Sequence, residues 1–187
     1  MFLRGCAALL ALASTSVASP GITPLANYPL VHQVRCKEGS GTAFRVAPHT
    51  FLSVAHVARL TDCAIDGEPV MAALDGPKDF AILELPSAKE GRFKINCDGY
   101  VPGEYYFAVG YAGGKPWQTT VTVLATYAKT RSGMQIMLGS PTFIPGMSGG
   151  PVMNRRGEVV GLVNAYSPIY PISLSRALKD TAACSKE

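Results

Sequence analysis

Hydrophobic and polar positions alternate in short bursts along this chain. Apolar-rich runs at residues 30–35, 42–46, 51–55, 70–74 and 80–85 are separated by turn formers such as Gly39-Ser40-Gly41, Pro48-His49, Ile65-Asp66-Gly67-Glu68-Pro69 and Asp75-Gly76-Pro77. The rhythm returns at residues 105–109, 119–128, 134–138, 151–154 and 159–164, with Arg155-Arg156-Gly157 as a hairpin turn. Strand-length runs spaced by turn signals predict an all-β barrel or sandwich. Residues 86–103 carry lysine, glycine and proline and read as the connection between two lobes. Only residues 173–179 depart from the pattern: a serine followed by helical spacing predicts one short C-terminal helix.

Composition adds size and address. The 187 residues, 48% of them hydrophobic, suffice for one compact unit or two small lobes sharing a site. The net charge of +4 comes without a basic block, so neither nucleic-acid nor membrane-surface binding is expected. Residues 1–18 stand apart. Arg4 is their only charge, residues 6–13 are apolar, and Ser16-Val17-Ala18 has the small-residue spacing of a signal cleavage site. The run is too short to span a bilayer, which takes about 20 residues. A secretory signal cut after Ala18 is expected, with the mature chain soluble and exported, extracellular or periplasmic.

Without Cys6 four cysteines are left: Cys36, Cys63, Cys97 and Cys184. In an exported chain they suggest two disulfides, with three possible pairings. Cys36–Cys63 is favoured because it brackets His56, leaving Cys97–Cys184 by default. No C-x-x-C spacing suggests a metal, and neither a metal nor a cofactor is expected.

The candidate chemistry centres on Gly146-Met147-Ser148-Gly149-Gly150-Pro151. Glycine freedom and a proline without N–H suit a tight turn that gathers backbone donors beside a hydroxyl. Acyl transfer needs such a nucleophile and such donors. The serine in turn needs a base, and all three histidines, His32, His49 and His56, precede it. That rules out the α/β-hydrolase order, in which histidine follows serine, and the subtilisin order, because the first aspartate is Asp62. The order His…Asp…Ser is left. His56 closes an apolar strand, whereas His49 sits in a turn and His32 on an early strand. Of the aspartates between His56 and Ser148, Asp66, Asp75 and Asp98 precede glycines as turn formers, and Asp62 lies too close to His56. Asp79 leads directly into the apolar residues 80–83, where a desolvated carboxylate needs a partner.

Five stretches in this order resemble the chymotrypsin-like (trypsin-fold) serine peptidases, especially compact bacterial and viral members. They are Ser40-Gly41-Thr42-Ala43-Phe44, Leu52-Ser53-Val54-Ala55-His56, Asp79-Phe80-Ala81-Ile82-Leu83, the nucleophile run above and Val159-Val160-Gly161-Leu162-Val163-Asn164. The resemblance implies two six-stranded antiparallel Greek-key β-barrels with the short C-terminal helix. The implied division is residues 19–90 for the lobe with His56 and Asp79, 91–103 for the connection and 104–187 for the lobe with Ser148. It implies a monomeric secreted endopeptidase cutting polypeptides, with His56, Asp79 and Ser148 catalytic and the N–H groups of Gly146 and Ser148 as oxyanion hole. Thr142 would lie at the base of the substrate pocket, with Asn164, Ala165 and Tyr166 as its wall. No acid falls near that pocket and no histidine lies in the second lobe, which favours a small or apolar residue before the scissile bond. Met147 stands where activated digestive relatives carry an aspartate, so no zymogen switch of that kind is expected. The alternatives are a catalytically idle protease fold used for binding, and a protease acting mainly on itself.

Overall fold

The structure, a computed structural model, describes residues 29–75, 78–130, 133–138, 143–166 and 173–185. The expected signal segment and Thr142 lie outside the described residues. Two antiparallel systems follow one another. The first is a seven-stranded sheet of β1 (Val31–Arg35), β2 (Ser40–Arg45), β3 (Thr50–Ser53), β4 (Ala64–Ile65), β5 (Glu68–Pro69), β6 (Met71–Asp75) and β7 (Phe80–Glu84), in the order β5-β4-β1-β2-β3-β7-β6. The second is a closed six-stranded barrel, in the order β10-β13-β12-β11-β8-β9. It comprises β8 (Tyr105–Ala112), β9 (Lys115–Thr130), β10 (Gly133–Leu138), β11 (Pro151–Met153), β12 (Val159–Tyr166) and β13 (Ser173–Ala177).

The architecture is all-β, as expected, with three corrections. The first sheet counts seven strands and not six, because the turn expected at residues 65–69 is part of a small hairpin, residues 64–69, of the two-residue strands β4 and β5. The strand expected to end on His56 stops at Ser53, and His56 lies in a single helical turn, α1 (Ala55–Ala58). The expected C-terminal helix is instead β13, followed by a 3₁₀ turn at Leu178–Asp180. Barrel closure overrides the helical spacing there. β13 pairs with β12 on one side and β10 on the other, so a helix would leave two open edges. Its polar side chains Ser173, Ser175 and Arg176 are buried, and Ser175 Oγ donates to the Leu162 carbonyl at 2.6 Å.

Alternation on the strands builds two cores. Phe44, Phe51, Phe80 and Leu83 fill the first sheet, where each buried side chain of this size stabilises by about 1.5–3 kcal/mol. Val109, Met153, Val159 and Leu162 from the barrel join the same cluster, so the two systems dock through apolar packing. Tyr106, Val121, Val152 and Val163 belong to a separate barrel core. Disulfides join Cys36 to Cys63 and Cys97 to Cys184. No helix among the described residues is long and apolar enough to cross a membrane.

Candidate active site

Strand register brings His56 to Asp79. β3 and β7 pair Ser53 with Ala81, so the residues after Ser53 and those before Ala81 emerge side by side at one sheet end. There Asp79 holds His56 twice. Its Oδ1 accepts the backbone N–H of His56 at 2.8 Å, and its Oδ2 lies 2.8 Å from the ring Nδ1. An ionised carboxylate can only accept, so Nδ1 carries the proton and the lone pair sits on Nε2. The ring itself is exposed. Asp79 adopts the left-handed backbone region at φ 49°, which aspartate tolerates better than most residues. Burial alone would raise its pKa, but the bonds from the His56 ring, the His56 N–H and the Asn164 amide outweigh that and hold it below the ordinary carboxylate value.

The glycine-rich turn is set by a second register. β11 and β12 pair Pro151 with Leu162, and the ladder runs on as Val163 N–H to the Gly150 carbonyl (2.8 Å) and Gly149 N–H to the Val163 carbonyl (2.7 Å). Ser148 thereby faces Asn164, and its Oγ donates to the Asn164 carbonyl at 3.5 Å. Among the described residues no hydrogen bond joins Ser148 to His56. Such bonds are often long in unliganded sites and tighten around substrate. The N–H groups of Met147 and Gly150 are taken by the Ile144 and Met147 carbonyls. Those of Gly146 and Ser148 have no acceptor among the described residues. Two unclaimed donors beside a hydroxyl can receive a developing oxyanion.

Thr42 ties the turn to the first sheet. Its N–H donates to the Ser148 carbonyl (2.8 Å) and its hydroxyl to the Gly146 carbonyl (2.8 Å), while that hydroxyl accepts the Tyr111 N–H (2.9 Å). Ser53 Oγ donates to the Thr42 carbonyl at 2.8 Å. The approach is close enough to require glycine at 149, where φ is +88° and a Cβ would stand 2.1 Å from the Thr42 carbonyl oxygen.

Asn164 does more than the sequence suggests. Expected on a pocket wall, its side chain is buried and donates from Nδ2 to Asp79 Oδ2 at 2.7 Å. Asn164 thus touches both halves of the site, its backbone carbonyl accepting from Ser148 and its side-chain amide donating to the Asp79 carboxylate that holds His56. Ala165 and Tyr166 continue β12 beside it; their side chains, like Thr142, are outside the described residues. Thr42 and Ser53 also escaped the sequence reading. The sequence carries no clear signal for them, since β2 and β3 also hold Ser40, Arg45 and Thr50, and it is burial that sets Thr42 and Ser53 apart from the other two hydroxyl residues.

A family model described as "Trypsin-like peptidase domain" matches residues 41–162. No curated protein matches the sequence significantly. Among solved structures, the inactive form of the Rv3671c protease of M. tuberculosis is similar, with 21% identity, 81% of this chain and 85% of that one covered, and a TM-score of 0.69. The MamO protease domain from Magnetospirillum magneticum gives 18% identity, 85% and 97% coverage and a TM-score of 0.68. An HtrA-type protease, AlgW, solved with a tripeptide, gives 20% identity, 81% and 57% coverage and a TM-score of 0.71.

Proposed function

The chain belongs to the trypsin-like peptidase family, and on that premise we propose that it is an exported serine endopeptidase working through Ser148, His56 and Asp79. The observation that carries this reading is the His56–Asp79 pair, ring Nδ1 to Oδ2 at 2.8 Å, together with a Ser148 turn whose Gly146 and Ser148 N–H groups have no acceptor among the described residues. Ser148 Oγ attacks the scissile carbonyl and gives its proton to His56 Nε2. Asp79 keeps the imidazole in the right tautomer and stabilises the imidazolium that forms. The N–H groups of Gly146 and Ser148 bind the oxyanion, His56 then protonates the leaving amine, and water releases the acyl-enzyme. Thr142 and the β12 segment Asn164, Ala165 and Tyr166 receive the acyl side of a polypeptide. A small or apolar residue precedes the cut. A polypeptide substrate is what membership of the trypsin-like peptidase family supports.

On this reading the seven-stranded sheet is the partner barrel of a two-barrel protease, within residues 19–90, and residues 91–103 connect it to the lobe at 104–187. The segment at 1–18 and the two disulfides support an oxidising destination outside the cytosol. A monomer suffices, since every proposed catalytic group comes from one chain.

Labelling with a fluorophosphonate probe tests the reading. The wild type should be labelled at Ser148, while Ser148→Ala and His56→Ala should not. Folded wild-type protein that stays unlabelled would refute it and leave an idle fold used for binding.

A further inference from the structure

A cavity of about 290 Å³ opens between the first sheet and the barrel, on the side where Tyr111 borders the nucleophile turn. It is lined by Gln33 and Arg35 of β1, Ala64, Asp66 and Gly67 around the β4–β5 turn, and Tyr111 of β8, so it straddles the seam between sheet and barrel. Tyr111 adjoins the turn directly. Its N–H bonds the Thr42 hydroxyl that holds the Gly146 carbonyl, and the Gly113 N–H donates to the Pro145 carbonyl at 3.2 Å.

The charges in this cavity are unevenly matched. Asp66 lies 3.0 Å from His32 Nδ1, a hydrogen-bond partner whose pKa burial lowers, and 3.3 Å from Lys89 Nζ, which also approaches Glu68 at 3.5 Å. Arg35 has no carboxylate within ion-pair distance among the described residues, and its one hydrogen bond runs from Nε to Gln33 Oε1 at 2.8 Å. That bond points the Gln33 Nε2 donor the other way. Burial, helped by nearby Asp66, raises the pKa of the Tyr111 phenol and keeps it a donor. Two terminal guanidinium nitrogens, an amide and a phenol thus offer donors, and Arg35 is the cation of this cavity that has no carboxylate within ion-pair distance among the described residues.

We propose that this cavity is a substrate subsite for a carboxylate side chain, Glu or Asp, on the leaving-group side of the scissile bond. The planar fork of Arg35 suits bidentate pairing with a carboxylate. The inference rests on the protease reading. With the acyl side laid along β12, the chain beyond the cut passes over the opposite flank of the turn, towards Tyr111.

The test is a set of quenched fluorescent peptides sharing one cleaved sequence, with each leaving-side position set in turn to Glu, Gln, Ala or Lys. At one position the wild type should cleave the Glu peptide about tenfold better in kcat/KM than the Lys peptide, the effect expected of one charge-assisted bond. Arg35→Ala should level the series while still cleaving the Ala peptide normally, and Arg35→Glu should turn the preference towards Lys. A wild type without acidic preference, or one whose preference survives Arg35→Ala, overturns the subsite alone. If no peptide is cleaved, Ala included, the protease reading falls and the subsite with it.

Discussion

Asn164 on the barrel donates its side-chain amide to Asp79 on the sheet at 2.7 Å, although 85 residues separate them. The carboxylate that orients His56 is thereby fixed from both halves of the molecule. A hydrogen bond to a charged group contributes about 1.5–3 kcal/mol. On the protease reading Asn164→Ala should therefore lower kcat/KM by roughly ten- to a hundredfold, mostly in kcat, because it removes the amide that fixes Asp79 and keeps the backbone that borders the acyl side. Steady-state kinetics that show only a raised KM would contradict this.

Asp79→Asn keeps the shape and the tolerance for φ 49° but loses the charge. The neutral amide can donate, so it favours the wrong histidine tautomer, and kcat should fall by on the order of 10⁴. Circular dichroism should show the fold retained. A loss of less than about tenfold would mean that Asp79 does not orient the base.

Two glycines with similar backbone angles should respond differently to alanine. At Gly149, φ is +88° and the new methyl would stand 2.1 Å from the Thr42 carbonyl oxygen and 2.3 Å from Ser53 Oγ. At Gly67, φ is +84° and nothing lies within 4 Å. Gly67→Ala should cost about 1 kcal/mol of backbone strain, whereas Gly149→Ala should lower the melting temperature far more or abolish folding. Equal shifts in thermal melts would count against the clamp.

The depressed pKa of Asp79 has a definite sign in stability. Its folded value lies below the unfolded value of about 3.9, so its contribution is present above that pH and is lost as pH falls through the folded value. Glu158 behaves alike, held low by Lys94, Asn154 and Asn96. Between about pH 5 and about pH 3 the wild type should lose more melting temperature than Asp79→Asn, which lacks the first contribution. Parallel losses in the two proteins would refute it.

Much of this was legible in the chain because it is local. Asp79 could be chosen among five aspartates by the apolar residues that follow it, and Ser148 by its glycines. The β13 segment was not legible: Ser173, Ser175 and Arg176 look like an exposed helix face and are buried only because the barrel must close. Strands as short as β4 and β5 show no period at all. Asn164 was placed near the site but given a different task, since a lone amide on a strand does not announce a partner from the opposite half.

Thr42 bears on the order in which the molecule comes into being. The first half of the chain supplies His56 and Asp79, yet the turn that carries Ser148 is held by the backbone and hydroxyl of Thr42, a residue synthesised more than a hundred positions earlier. Neither half can arm itself. On the protease reading, a chain emerging from the ribosome or crossing a membrane stays harmless to its surroundings until both halves have met, without a propeptide being needed for that protection.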